Sequence, residues 1–174
     1  SRFTVKDLNQ AIKEHVNKNQ HHKNTHTNST QFSSYFINID GNKSNFDSLA
    51  VELKRIEYDF SVIAVAETNT DPELQNLYNI PNYNSFYQTT IDEKSKGTGV
   101  AVYVHTNFNA EVIEELSFCN PDIESLFVKL SQPSSTETIV VGVIYRAPSG
   151  NVTNFLHKFE NICSNVTNTR VRIL

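Results

Sequence analysis

The stretch Tyr35 to Leu49, YFINIDGNKSNFDSL, followed by Phe60 to Thr68, FSVIAVAET, decides the fold of this 174-residue chain. Tyr35 to Ile39 is a short apolar run and reads as a strand. Asn38, Asp40 and Gly41 close it with an amide, a carboxylate and a residue that lets the chain turn. Ser44 or Asn45 then caps a helix, because Phe46, Leu49, Leu53 and Ile56 recur at helical spacing. Phe60 to Ala66 is too short and too β-branched for a helix, so it reads as a buried strand, and Glu67 comes directly after it.

Toward the carboxyl end the pattern changes. Gly99 to His105, Ser125 to Leu130 and Ile139 to Tyr145 are three more strands, separated by clusters of Asn, Pro and Ser. A second helix comes next, marked by Val152, Phe155, Leu156, Phe159 and Ile162, and Val171 to Leu174 opens a further strand. One strand-helix-strand unit succeeded by consecutive strands is not the strict alternation of a doubly wound fold. The expectation is an α/β layered sandwich of two mixed β-sheets flanked by helices, with its carboxyl-terminal part missing from these residues.

Toward the amino end, Thr4 and Asp7 form a capping box, and Val5, Leu8, Ile12 and Val16 give a short amphipathic helix. Asn17 to Gln31 contains no aliphatic or aromatic residue and cannot contribute to a core. The domain is therefore expected to span residues 32–174, preceded by a helix and linker over residues 1–31. The linker histidines His21, His22 and His26 have no cysteine partners and read as solvated.

Composition narrows the function. At 38% hydrophobic and 20% charged the chain reads as globular, and no apolar run approaches the roughly 20 residues that a membrane helix needs. A polar amino terminus is not a secretion signal, so the expectation is an intracellular protein with no membrane partner. Cys119 and Cys163 lack metal-site spacing and are expected to be buried thiols in a reducing compartment. A net charge of −4 argues against a high-affinity nucleic-acid clamp, but not against a site that gathers carboxylates around a divalent cation. No glycine-rich phosphate loop of the Rossmann or P-loop kind is present.

Polar groups at the ends of buried strands are where layered α/β proteins place ligands. Three such places stand out: Asn38 with Asp40, two apart and so on the same side of an extended strand; Glu67; and Tyr145 with Arg146, a phenol and a guanidinium suited to phosphate oxygens. Each alone has a plainer reading, as an Asx-type turn, a solvated strand end or a snorkelling pair. Taken together and in order, with VIAVAET at Val62 to Thr68, GTGVAVYV at Gly97 to Val104 and VVGVIYRAP at Val140 to Pro148, they resemble the endonuclease/exonuclease/phosphatase superfamily. Within it they look like the apurinic/apyrimidinic-type endonuclease of non-LTR retrotransposons, over most of the chain.

The resemblance implies that Glu67 binds a catalytic Mg2+ or Mn2+ with Asp40 in the same site. It implies that Asn38, Asp40 and Tyr145 are catalytic, that Tyr145 contacts the scissile phosphate, and that Arg146 and Asn38 hold substrate. The activity implied is metal-dependent hydrolysis of DNA phosphodiesters, nicking a target site for retrotransposition. Its partners would be target DNA and, in the intact element, the element's own reverse transcriptase domain and RNA, which places its action in the nucleus. Two departures stand beside this: Asn69-Thr70 replaces the usual Trp-Leu, and Gly97-Thr98-Gly99 a run of three glycines. A third is larger, since the Gly-Asp-Phe-Asn and Ser-Asp-His motifs that supply the general base and a phosphate-binding histidine are not among these residues. The fragment is therefore expected to be inactive alone. The competing readings are a phosphatase of the same superfamily acting on small phosphates, and a non-catalytic nucleic-acid or protein interaction module.

Overall fold

Side chains that alternate between two faces of each central strand decide which layer every element joins. The computed structural model describes residues 6–7, 9–14, 32–41, 43–56, 58–89, 99–133, 136–166 and 171–173. One sheet is built from β1 (Ser34–Asn38), β2 (Val62–Ala66), β3 (Tyr83–Gln88) and β4 (Val100–His105), in the order β1-β2-β4-β3. β1 runs parallel to β2, and β4 is antiparallel to both of its neighbours. The second sheet contains β5 (Asn109–Val112), β7 (Glu124–Ser131), β8 (Thr138–Tyr145) and β9 (Val171–Ile173) in that order, with the two-residue β6 (Phe118–Cys119) also paired to β7. β8 and β9 are parallel, whereas β5, β7 and β8 are antiparallel.

Val62, Ala64, Ala66, Val100, Val102 and Val104 face Leu126, Val128, Leu130, Val141 and Val143 across the gap between the sheets. Ile63, Val65, Ala101 and Tyr103 point the other way, onto Phe46, Leu49 and Ile56 of helix α1 (Lys43–Arg55) and its end. Phe127 and Val140 on the outer face of the second sheet meet Ile162 and Val166 of helix α2 (Val152–Val166). The result is the layered sandwich of two mixed sheets with helices outside that the sequence pattern implies. β2 is buried along its whole length because both of its faces are covered.

Several boundaries differ from the sequence reading. α1 already includes Lys43, so neither Ser44 nor Asn45 caps it. The Asn45 amide instead donates to the Ile39 carbonyl at 2.7 Å, tying the helix to the end of β1. Cys119 and Cys163 are not joined in a disulfide and are half-buried, not fully buried. The leading segment makes contacts of its own: residues 9–14 are helical, Ile12 packs against the α1 core, and the Asn9 amide donates to the Arg55 carbonyl at 3.0 Å. The part of residues 1–31 that can be described thus touches the domain. Residues 15–31, including the linker histidines, lie outside the described residues. No helix among the described residues is long and apolar enough to cross a membrane.

Candidate active site at one end of the sandwich

Strand register brings the polar ends together. Asn38 at the end of β1 pairs with Ala66 at the end of parallel β2, and Ala66 pairs with Val100 at the start of antiparallel β4. In the other sheet, Tyr145 at the end of β8 pairs with Glu124 at the start of β7. Asn38, Glu67, Glu124 and Tyr145 therefore gather at one end of the two sheets.

Glu67 is the hub. Its Oε1 accepts the Asn38 Nδ2 amide at 2.8 Å and also accepts a hydrogen bond from the Tyr145 hydroxyl. Asn38 Oδ1 accepts the Asp40 backbone N–H at 2.9 Å, so one amide both orients Glu67 and shapes the turn that presents Asp40. The two loops are also joined through their backbones, since Gly41 N–H donates to the Glu67 carbonyl at 2.8 Å and Asn69 Nδ2 to the Gly41 carbonyl at 3.2 Å.

The backbone is unusual here. Asp40, Glu67 and Asn69 all have positive φ, at 48°, 53° and 42°, as does Gly41 at 53°. Left-handed conformations disfavour residues with a Cβ, and among non-glycines Asn and Asp tolerate them best, so Glu67 is the least expected of the three. Such conformations persist only where the surroundings over-determine them, and they cluster at functional sites. Gly41 has a further constraint, because a Cβ there would lie 2.7 Å from the Asn69 Cβ.

Tyr145 has its hydroxyl pKa pushed up to about 12, first by burial, then by its hydrogen bond to Glu67 and the charges of Glu67 and Glu124, with Arg146 pulling the other way. At neutral pH the group is a protonated donor. Arg146 points into its own loop, where Nη1 donates to the carbonyls of Ala147 at 3.2 Å and Gly150 at 3.1 Å. The structure thus joins Asn38, Glu67 and Tyr145 by direct hydrogen bonds, holds Asp40 next to them through Asn38, and leaves Arg146 beside the group as a loop brace.

Glu124 escaped the sequence reading. It is 2% exposed, its Oε2 accepts the Gly99 N–H at 2.7 Å, and burial raises its pKa against the pull of the Gly99 and Cys119 hydrogen bonds, with Glu67 adding to the rise. A signal was available: Glu124 adjoins the apolar run SLFVKL just as Glu67 adjoins VIAVA.

The donor set can be weighed against a hard divalent cation. Glu67 has one carboxylate oxygen occupied by two donors and the other outside those bonds, and among the described residues the exposed Asp40 carboxylate makes no hydrogen bond. No group of three or more His, Cys, Asp or Glu side chains that could cage a metal occurs among the described residues. Mg2+ is commonly held by one or two carboxylates, with water and substrate phosphate completing its shell, so Glu67 and Asp40 fit that ion and not a metal that needs an all-protein cage.

No family model and no curated protein sequence matches the chain. Solved structures do share its fold. The endonuclease domain of TRAS1, a telomere-specific non-LTR retrotransposon, superposes with a TM-score of 0.60 at 14% identity, covering 82% of this chain and 57% of that one. D. rerio TDP2 complexed with single-strand DNA product gives 0.54 at 14%, covering 83% and 59%. An endonuclease/exonuclease/phosphatase family protein from Bacteroides thetaiotaomicron gives 0.53 at 12%, covering 83% and 60%. The chain has the endonuclease/exonuclease/phosphatase fold and spans rather more than half the length of these structures.

Proposed function

We propose that the chain carries the metal-binding part of a phosphodiesterase site that nicks DNA, with Glu67 and Asp40 holding Mg2+ or Mn2+. The observation that carries this reading is Glu67 itself, a carboxylate set in a left-handed backbone at the end of a buried strand and gripped by Asn38 and Tyr145. Similarity in fold to a retrotransposon endonuclease and to a protein complexed with a single-strand DNA product supports DNA as the substrate.

Each residue has a definable task. Asn38 fixes the rotamer of Glu67 through Nδ2 and the turn at Asp40 through Oδ1. Tyr145, protonated at neutral pH, donates to Glu67 and can redirect the same proton toward a non-bridging phosphate oxygen when substrate arrives. The cation, when bound, neutralises charge that develops on the phosphate and the leaving oxygen. Arg146 keeps the loop after β8 in shape, so a contact with the DNA backbone would require its guanidinium to leave the Ala147 and Gly150 carbonyls. With a net charge of −4, binding depends on this site more than on a broad basic surface. On this reading residues 1–174 hold the metal side of the site and do not nick DNA alone. The reverse transcriptase domain and RNA of an intact element, and a nuclear place of action, belong to the same proposal.

The test is conversion of supercoiled plasmid to open circle by the full-length protein that contains these residues, in Mg2+. Glu67→Gln, which keeps size and loses charge, should lower the rate by about a hundredfold or more while leaving the melting transition cooperative. Unchanged nicking would remove Glu67 from the site. Hydrolysis of small phosphomonoesters without nicking would move the reading to a phosphatase of the same fold.

A further inference from the structure

Glu124 has no task in the proposed reaction, yet a carboxylate only 2% exposed is retained where its acceptor capacity is used. Its neighbours show how. Oε2 accepts the Gly99 N–H at 2.7 Å, and the Cys119 side chain also hydrogen-bonds to this carboxylate. The Gly99 carbonyl in turn accepts the Thr68 N–H at 3.0 Å. Gly99 has φ +101°, open to glycine and rarely to other residues, and a Cβ there would lie 2.6 Å from the Thr68 Oγ1. Gly99 and Thr68 therefore meet with no room between them, and Glu124 holds Gly99 from the opposite sheet.

Thr68 is the residue after Glu67, whose φ of 53° needs support from both sides. On one side Gly41 N–H holds the Glu67 carbonyl at 2.8 Å. On the other the support is Gly99, itself fixed by Glu124. We propose that Glu124 is a positioning residue, which reaches across from the second sheet through Gly99 and Thr68 to hold Glu67 in the left-handed conformation that aims its carboxylate. Its consequence for metal binding rests on the reading of Glu67 as the metal carboxylate; its consequence for the loop does not. The role needs an acceptor at Oε2 and not a charge, so Gln is a faithful replacement and Ala is not.

The experiment measures backbone amide exchange by NMR and Mn2+ binding by EPR titration in the full chain, for the wild type, Glu124→Gln and Glu124→Ala. The Gly99 and Thr68 amides should be protected in the wild type. Glu124→Ala should lower their protection by about tenfold and weaken Mn2+ binding by a similar factor, with Val141 and Val143 in β8 unaffected. Glu124→Gln should stay within about twofold of the wild type in both measures. An unprotected Gly99 amide in the wild type, a folded Glu124→Ala protein with unchanged protection and Mn2+ affinity, or a Glu124→Gln protein as damaged as Glu124→Ala would each overturn the proposal. If Glu124→Ala does not fold, the wild-type Gly99 amide and Glu124→Gln still decide it. If the wild type binds no Mn2+, the metal reading fails while the amide arm continues to test the hold on Glu67.

Discussion

Replacing Tyr145 by Phe removes one hydroxyl and little volume, so it isolates the hydrogen bond to Glu67. Glu67 keeps the Asn38 amide on the same oxygen, and being part-exposed it can recruit water in place of the phenol. A hydrogen bond to a charged group is typically worth about 1.5–3 kcal/mol, and exposure places this one at or below the bottom of that range, near 1 kcal/mol. For a domain of this size that is a fall in melting temperature of about 2–4 °C at pH 7. The pH dependence is the sharper test. The Tyr145 pKa is raised from 10.0 to about 12, so between those values the unfolded chain releases this proton while the folded chain keeps it. The unfolded state then binds fewer protons, and stability falls as pH rises. The advantage of wild type over Tyr145→Phe should be whole below pH 10 and disappear progressively as pH rises through about 12. Tyr83 and Tyr103 are shifted the same way but are present in both proteins and cancel in the difference. Urea midpoints measured from pH 8 to 12 in chelator, with absorbance at 295 nm to track tyrosinate, provide the comparison. Parallel stability curves for the two proteins would refute the reasoning.

Other positions test the scaffold beneath the site. Gly142 faces Phe127 across β7 and β8, and a Cβ there would meet three ring atoms at 2.2 to 2.5 Å. Phe127 is fully buried and cannot step aside, so Gly142→Ala should cost about 3 kcal/mol, the upper part of the overpacking range, and Phe127→Leu should recover part of it in a double-mutant cycle read by urea midpoints. Ile12→Asp should lower the melting temperature by several degrees if residues 9–14 pack on α1 as their contacts indicate, and a midpoint equal to wild type would restore the boundary at residue 32. Arg146→Ala should raise amide exchange at Gly150 before it alters DNA affinity, and the reverse order would make this arginine a substrate contact first.

How much of the fold was legible in the sequence depends on which strands bury both faces. VIAVA, VAVYV and VVGVI sit between two layers each, so their runs are apolar throughout and stand out in sequence. β3, with sequence YNSFYQ, lies at a sheet edge with no fully buried residue, and the four-residue β5, NAEV, alternates exposed and half-buried positions. The polar β5 does not signal a strand by composition, and the aromatics Tyr83, Phe86 and Tyr87 of β3 favour a strand without alternating regularly with its polar residues, so pairing with β4 and β7 fixes both. The site divides along the same line. Glu67 and Tyr145 are found by asking which polar residues lie at the carboxyl end of a buried run, and Asn38 by asking the same of the apolar YFINI, although its strand β1 lies at the sheet edge with no fully buried residue; the question suits parallel sheets, whose carboxyl ends share one side. In an antiparallel pair the start of one strand lies beside the end of its neighbour. Glu124 pairs with Tyr145 for that reason, and Gly99 immediately precedes the strand whose Val100 pairs with Ala66. Glu124 and Gly99 therefore join the site's framework from positions that precede apolar runs. Reading both ends of every buried run, and not the carboxyl end alone, is what a mixed two-sheet sandwich requires, because its topology folds starts and ends onto the same rim.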